Sequence, residues 1–139
     1  MFKFETCAMA IVLCENKILS ISELVFGRKV LSLPKGHQEK GEDIVDTAIR
    51  ECFEETNILL KKENMTSALT PYSYNFTLPK GQAIRKTVHP FLFIVDDYGT
   101  PLAKEETMIS VDWIDIDDFL NLCTYDSVKK LVNEALIKI

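Results

Sequence analysis

Residues 36–58 of this chain read GHQEKGEDIVDTAIRECFEETNI, and this stretch decides how the chain folds. From about residue 43 to residue 56 the apolar residues recur with the period of a helix, which predicts an amphipathic helix. On that helix Glu51, Glu54 and Glu55 are spaced i, i+3 and i+4, so their carboxylates are expected on one face. Three neighbouring carboxylates repel one another unless a cation lies among them. The stretch therefore predicts a helix with one face available to a metal ion.

The opposite face of the predicted helix is apolar. Val45, Ala48, Ile49 and Cys52 form a stripe that is expected to pack against the rest of the protein, with all three glutamates pointing away from it. Hard divalent ions such as Mg²⁺ take oxygen ligands and commonly pair carboxylates with substrate phosphates. A helix with one packed apolar face and one carboxylate face therefore suggests a metal site for phosphorylated substrates.

The same stretch resembles the Nudix box, G-x5-E-x7-R-E-U-x-E-E-x-G-U, in which U is a bulky aliphatic residue. Two positions depart from this pattern: Cys52 stands at an aliphatic position, and Asn57 replaces the second glycine. Cysteine packs as a small apolar residue, and asparagine tolerates the left-handed conformation that ends many helices. Neither departure removes a charged group. The positions that match in register are Gly36, Glu42, Arg50, Glu51, Glu54, Glu55 and Ile58.

The resemblance implies the Nudix α/β/α sandwich around a mixed β-sheet, with the box forming loop-helix-loop. The pattern of the remaining chain agrees with an α/β layered domain, and 139 residues suit a single domain, 1–139, that contains the Nudix box at 36–58. A polar loop is expected at 34–41. The predicted strands are 6–14, 17–25, 30–33, 68–78, 87–95 and 109–116, and the predicted helices are 43–56, 117–122 and 126–139.

The resemblance also implies roles for the box residues. Metal coordination is expected chiefly from Glu54 and Glu55, assisted by Glu51 and by the backbone carbonyl of Gly36, with Mg²⁺ as the cofactor and Mn²⁺ as an alternative. Arg50 lies four residues before Glu54 and can hold that carboxylate in position. The expected metal ligands are Gly36, Glu51, Glu54 and Glu55.

Two roles stay open at this point. Glu42 is expected either to stabilise the junction between the loop and the helix or to bind metal through water. The base that deprotonates the attacking water varies within the family, and it can be a box glutamate or a glutamate from a distant loop. Glu105 and Glu106, just before the strand that contains Trp113, are the distant candidates, although an acidic pair in a loop is often only a solvated surface. The candidate catalytic residues are therefore Arg50, Glu51, Glu54, Glu105 and Glu106.

The residues just before the box indicate a substrate class. The sequence LPKGH at 33–37 resembles the P-K-G-H segment of Nudix hydrolases that cleave diadenosine tetraphosphate and related dinucleoside polyphosphates. Lys35 and His37 would add positive charge beside a long polyphosphate chain. Tyr74 and Phe76 either stack on adenine, where stacking is worth about 1–3 kcal/mol per base, or are ordinary strand aromatics. Lys86 either reaches phosphate or only keeps its loop soluble.

These resemblances imply Mg²⁺-dependent hydrolysis of a phosphoanhydride bond in a nucleoside diphosphate linked to another group. The preferred substrate is a dinucleoside polyphosphate such as diadenosine tetraphosphate, which would give ATP and AMP. The alternative is a (d)NTP or nucleotide-sugar/ADP-ribose pyrophosphohydrolase. A noncatalytic Nudix module that senses a nucleotide is disfavoured, because such modules often lose box glutamates and this chain keeps all four.

Composition limits the partners and the compartment. The net charge of −5 argues against a general nucleic-acid binder. The longest apolar run, 7–14, is too short to span a membrane, and the N-terminus has no signal-peptide pattern. The four cysteines form no C-x-x-C pair, which predicts free thiols in a reducing cytosol. We therefore expect a cytoplasmic protein, a monomer or homodimer, that acts on a small-molecule nucleotide and binds neither nucleic acid nor membrane.

Overall fold

The computed structural model describes residues 1–139 as an eight-stranded sheet with three helices and a short 3₁₀ turn at Lys62–Asn64. The strands are β1 (Phe2–Cys14), β2 (Lys17–Val25), β3 (Arg28–Ser32), β4 (Lys35–His37), β5 (Met65–Ala68), β6 (Tyr72–Thr77), β7 (Ala83–Ile94) and β8 (Met108–Asp115). The helices are α1 (Ile44–Thr56), α2 (Ile116–Leu122) and α3 (Asp126–Ile137). The predicted α/β class is confirmed. None of the three helices combines the length and the apolar character needed to cross a bilayer.

The sheet is mixed, as the resemblance implies. Its main order is β3-β2-β1-β7-β5, and β4, β6 and β8 pair with β1, β7 and β2 respectively. Strands β1 and β7 run parallel, from the pair Phe2↔Ala83 to the pair Leu13↔Ile94, and all other pairs are antiparallel. The long parallel pairing makes β1 and β7 the centre of the sheet.

Helices cover both faces of β1. Its alternating residues from Cys7 to Leu13 pack with α2 and α3 in one buried cluster. The residues between them, Ala8, Ala10 and Val12, pack with α1 in a second buried cluster. Side chains alternate between the two faces of a strand, so an almost continuously apolar strand can be covered on both sides. The result is the expected α/β/α sandwich.

Strand β4 lies within the segment predicted to be a loop, so that prediction is wrong over three residues. The backbone of Lys35, Gly36 and His37 pairs with Met9, Ala8 and Cys7 of β1. The sequence Lys-Gly-His has no strand pattern of its own, because its strand conformation depends on the partner that it pairs with. This short strand brings the loop of the box against the central sheet.

The strand predicted at 68–78 is a strand only from residue 72 to residue 77, where it forms β6, and β5 (Met65–Ala68) ends at its first residue, with a break between the two strands. Pro71 lies in the break, where a residue without a backbone N–H cannot join a ladder. Strand β5 pairs with the part of β7 near Phe91, and β6 pairs with its earlier part, from Ala83 to Val88. Strand β7 therefore begins before the predicted residue 87, and its first residues support a hairpin with β6.

Helix α1 has strong signals at both ends. The Asp43 side chain accepts a hydrogen bond from the backbone N–H of Val45 at 3.1 Å, as an N-cap residue does. Asn57 ends the helix with φ 67°, and its backbone N–H donates to the carbonyl of Phe53. The left-handed role expected of Asn57 is confirmed. Of the predicted apolar stripe, Ala48 and Cys52 are fully buried, while the other two members are half-buried.

Candidate active site

Gly36 of β4 lies directly against the side chain of Glu51 on α1. A Cβ atom added at position 36 would overlap the Glu51 carboxylate. The φ angle of Gly36 is not positive, so the position requires a missing side chain rather than an unusual backbone conformation. The glycine of the box therefore makes room for the carboxylate of the helix.

Arg50 gathers the polar groups of the box around one guanidinium. Its Nε and Nη2 atoms donate to the two carboxylate oxygens of Glu42 at 2.8 and 3.0 Å. Its Nη1 atom donates to Glu51 at 2.8 Å and to Glu54 at 3.0 Å, and Nη2 also donates to the carbonyl of His37 at 2.8 Å. The expected contact with Glu54 is present, and Arg50 in addition joins the loop to the helix.

Glu42 is held at the junction between the loop and α1. Besides Arg50, it accepts hydrogen bonds from the Thr47 hydroxyl at 2.7 Å and from the backbone N–H of Glu39 at 3.1 Å. Hydrogen bonding to Arg50, assisted by these donors, lowers the pKa of Glu42 to about 2. Of the two roles left open for Glu42, these contacts support stabilisation of the junction.

Glu55 does not lie on the exposed face where the helical pattern put it. It is buried, and its Oε1 atom accepts a hydrogen bond from the backbone N–H of Lys35 at 2.9 Å. Burial raises the pKa of Glu55 to about 9, and the negative charges of Glu51, Glu105 and Glu23 raise it further against that hydrogen bond. The prediction that Glu55 points away from the packed face is wrong, because β4 covers this end of α1.

Glu51 and Glu54, the other two carboxylates of the predicted metal site, provide the oxygen donors that a hard cation prefers. Burial raises the pKa of Glu51, against hydrogen bonding to Arg50, and the charges of Glu54 and Glu105 add to the rise. Desolvated carboxylates of this kind gain when a divalent ion binds them, since Mg²⁺ prefers oxygen donors. No three His, Cys, Asp or Glu side chains converge as a preformed ligand set. A cation would therefore compete with Arg50 for Glu51 and Glu54.

Glu105 belongs to the neighbourhood of these carboxylates although it is distant in sequence. It lies on the exposed loop before β8, and its charge raises the pKa of both Glu51 and Glu55. Glu106, also exposed, is not among the main charges that act on them. Sequence reasoning missed Glu23 of β2, whose pKa is raised by burial and by Glu105 against the charge of Lys35. The only sequence feature that could have indicated Glu23 is the presence of a carboxylate in a mostly apolar strand.

The other face of β4 carries cations and aromatic rings. Lys35 and His37 flank Gly36 and are directed to the face opposite Glu51, because neighbouring strand residues alternate. The Lys35 Nζ atom lies 5.8 Å from the ring centroid of Tyr74, and the Lys86 Nζ atom lies 5.4 Å from that of Phe76. The structure thus brings all five predicted substrate-binding side chains to one face.

Glu5 is a second residue that sequence reasoning missed on this face. One of its carboxylate oxygens lies 3.2 Å from His37 Nε2 and 3.9 Å from Lys86 Nζ. Glu5 comes from β1, where it is paired with Lys86 of β7. It contacts two of the predicted phosphate-binding side chains, and nothing in its local sequence indicates this contact.

A cavity of about 450 Å³ opens beside Lys35. Three tyrosines line it, Tyr72 and Tyr74 from β6 and Tyr125 from the start of α3, together with Ser127. The rings of Tyr72 and Tyr74 are stacked with their centroids 6.3 Å apart. The cavity has the size and the aromatic lining of a site for a small planar group.

Comparisons with known proteins identify the family. The NUDIX domain family matches residues 4–134. The MutT4 protein of Mycobacterium tuberculosis (strain CDC 1551 / Oshkosh) is 36% identical over 110 residues, which cover 78% of this chain and 42% of that protein. The chain thus spans less than half the length of this relative.

Two solved structures are similar in fold. An Ap4A hydrolase binary complex from C. elegans has a TM-score of 0.73 and 19% identity, with 96% of each chain covered. A bifunctional NMN adenylyltransferase/ADP ribose pyrophosphatase from Francisella tularensis, complexed with AMP and a Mn ion, has a TM-score of 0.77 and 23% identity over 99% of this chain and 42% of that chain. With the sequence match running from β1 into α3 and taking in the whole box, this chain belongs to the NUDIX domain family.

Proposed function

We propose that this chain is a Mg²⁺-dependent hydrolase that cleaves diadenosine tetraphosphate, or a closely related dinucleoside polyphosphate, to ATP and AMP. One observation carries the proposal: β4 has the box carboxylates on one side and a cationic, aromatic face with a cavity on the other. A substrate with two nucleosides and a long polyphosphate needs both kinds of surface. Family membership supports phosphoanhydride hydrolysis in general, and the proposal adds a specific substrate.

The metal would be held by oxygen atoms of the box. Glu51, Glu54 and Glu55 would supply carboxylates, and the Gly36 carbonyl would supply a further ligand. When bound, a divalent ion neutralises phosphate charge and lowers the pKa of a bound water. The Francisella tularensis structure contains a Mn ion, which is compatible with use of a divalent ion here, and Mg²⁺ is the proposed physiological choice.

The remaining catalytic roles are orientation of the metal ligands and removal of a proton from water. Arg50 orients Glu51 and Glu54 through hydrogen bonds of 2.8 and 3.0 Å. Glu105 is proposed as the base, because it lies among the site's charges and is not held by Arg50. It takes a proton from water as the water oxygen bonds to phosphorus and the bond to the leaving nucleotide breaks. Glu106 is the second candidate for this role.

The cationic face would bind the rest of the substrate. Lys35, His37 and Lys86 can contact phosphate oxygens, with Lys86 and His37 exchanging their contacts with Glu5 for the substrate. Tyr74, next to the cavity, and Phe76 further along β6 offer rings on which adenine can stack. The similarity in fold to the C. elegans Ap4A hydrolase over almost the whole chain is compatible with this assignment.

The alternative is a pyrophosphohydrolase for a (d)NTP, a nucleotide sugar or ADP-ribose. The bifunctional Francisella tularensis protein supports it, because ADP ribose pyrophosphatase is one of its two named activities and 42% of its chain shares the fold of this protein. A single aromatic cavity would then hold the only base of the substrate.

A substrate panel separates these functions. The protein is incubated with Mg²⁺ and diadenosine tetraphosphate, a set of canonical and modified dNTPs, or ADP-ribose, and products are separated by ion-exchange chromatography. We expect ATP and AMP from the first substrate at the highest kcat/KM. Tyr74→Leu should raise KM for this substrate, whereas Tyr74→Phe, which keeps the ring, should not. Turnover of a dNTP or ADP-ribose with diadenosine tetraphosphate left intact would show that the substrate assignment is wrong.

A further inference from the structure

The loop at 99–107 runs along the C-terminal end of α1 and is tied to it by alternate residues. The Asn57 side-chain amide donates to the carbonyl of Thr100 at 3.1 Å. The backbone N–H of Leu102 donates to the carbonyl of Thr56 at 2.9 Å. A glycine at position 57, which the box pattern usually has, could not make the first of these contacts. The departure from the box therefore supplies a tether to this loop.

Lys104 makes the next contact, with Phe53 of α1. Its Nζ atom donates to the Phe53 carbonyl at 3.2 Å and lies 3.8 Å from the centroid of the Phe53 ring. The last turn of α1 contains no basic residue, so its negative end would otherwise lack a cation. Lys104 supplies that cation from another segment and adds a cation–π contact. Together these contacts form a strap, defined by Thr100, Leu102 and Lys104.

The strap ends immediately before Glu105. On the other side of Glu105 its own carbonyl accepts a hydrogen bond from the backbone N–H of Met108 at 3.0 Å, where β8 begins. Ala103 packs against the buried cluster beneath α1. The backbone of Glu105 is therefore fixed from both directions, although its side chain is exposed.

Glu105 carries the same charge as the carboxylates near it. Its charge acts unfavourably on Glu51, Glu55 and Glu23, and like charges without a cation between them drive a free loop outward. The contacts of Lys104 with Phe53 oppose that repulsion at the residue next to Glu105.

We propose that Lys104 is a positioning residue that, by clamping the loop to Phe53, holds Glu105 where it can take the proton from the attacking water. The inference rests on the proposed hydrolase function and on Glu105 as its base. Lys104 itself touches neither the box carboxylates nor the cationic face. It acts through Glu105.

The test measures kcat and KM for whichever panel substrate the wild-type protein hydrolyses with Mg²⁺. Lys104→Met keeps an apolar contact with Phe53 and removes the charge and the donor, and we expect it to lower kcat about tenfold with KM changed less than about twofold. Lys104→Arg keeps a cation and donors and should restore most of kcat. Lys138→Met, at an exposed lysine beyond α3, is the matched control and should leave both constants unchanged.

The double variant decides whether Lys104 acts through Glu105. Glu105→Gln should lower kcat about 100-fold or more, and adding Lys104→Met to it should lower kcat no further. Multiplicative losses, or an undiminished kcat in Glu105→Gln or in Lys104→Met, would overturn the positioning role while leaving the hydrolase function intact. A wild-type protein that hydrolyses no substrate of the panel would refute the proposed function itself. Thermal unfolding of each variant verifies that it is folded.

Discussion

The residue at position 36 controls where the Glu51 carboxylate can lie. The side chain of Glu51 occupies the space that a Cβ atom at Gly36 would need. Arg50 holds the same carboxylate by a hydrogen bond of 2.8 Å, so the carboxylate cannot turn aside without losing that contact. The glycine of the box thus acts on the Glu51 carboxylate through packing.

Gly36→Ala should therefore impair activity more than stability. We expect kcat to fall about 10- to 100-fold, because a displacement of about 1 Å in a catalytic group has that effect. The midpoint of thermal unfolding should fall less than activity does, since the obstructing atoms belong to a side chain that can move at the cost of its hydrogen bond to Arg50. Steady-state kinetics and a thermal scan measure the two effects. An alanine variant with unchanged kcat would show that the position of Glu51 is not critical.

Glu42 should make stability depend on pH in the acid range. Its pKa is about 2 in the folded protein against an ordinary value of 4.5, so folding favours its ionised form. The stabilisation is present above about pH 4.5 and is lost as the pH falls towards 2. Glu42→Gln should lower the free energy of unfolding by about 2 kcal/mol at pH 7, and by much less near pH 3.

Urea unfolding at several pH values measures this difference. Glu39→Gln is the matched control, because Glu39 also lies near Arg50, at 3.4 Å, but its side chain is 67% exposed. Exposed pairs contribute little, so this variant should change the free energy of unfolding by less than about 0.5 kcal/mol. Equal effects of the two variants would contradict the junction role of Glu42.

Glu55 should make stability depend on pH in the opposite direction to Glu42. Its folded pKa of about 9 lies above the ordinary 4.5, so its ionisation opposes folding increasingly as the pH rises from about 4.5 to 9. In a chelator at pH 8, Glu55→Gln should be more stable than the wild type by about 1–3 kcal/mol. Mg²⁺ should stabilise the wild type more than the variant, because the ion binds the folded wild-type site. A wild type that is the more stable protein without metal would contradict this account of the buried charge.

At the scale of elements, the end of α1 combines a helix cap with a tether. Asn57 adopts φ 67° and also binds Thr100 through its side chain. Asn57→Ala should cost about 1–2 kcal/mol, because alanine is strained in the left-handed region. Asn57→Gly relieves that strain and should lie within about 1 kcal/mol of the wild type.

The two variants also separate the cap from the tether. Both lose the contact with Thr100, so hydrogen exchange of loop 99–107 should be faster in each, although only the alanine variant loses much stability. Loop exchange that follows global stability alone would show that the Asn57 amide does not restrain the loop.

Helix α1 could be predicted almost completely from the sequence, whereas β4 could not. The apolar period and the residues Asp43 and Asn57 encode both ends of the helix locally. Strand β4 forms because β1 offers it a partner, which no window of the sequence contains. Missing β4 in turn misplaced Glu55, whose burial and contact with Lys35 depend on that strand.

At the scale of the whole molecule, the sheet explains which site residues could be found in advance. The Nudix box and the segment before it predicted the carboxylates, Lys35 and His37 as site residues, because the residues of a family pattern lie close together in the fold that the family shares. Glu5 and Glu23 join the site only because β1 and β2 lie beside β4 and β8 in the folded sheet. Their sequence surroundings contain no such signal.

The central claim is that the box performs metal-dependent hydrolysis, and the Mg²⁺ dependence of turnover tests it most directly. Diadenosine tetraphosphate is incubated with the wild type, Glu54→Gln and the control Glu39→Gln across a Mg²⁺ titration, and ATP and AMP are quantified. We predict that the wild type and the control release both products only with Mg²⁺, and that Glu54→Gln is at least about 100-fold slower at saturating Mg²⁺. Turnover in a chelator, or an undiminished rate in Glu54→Gln, would contradict the account.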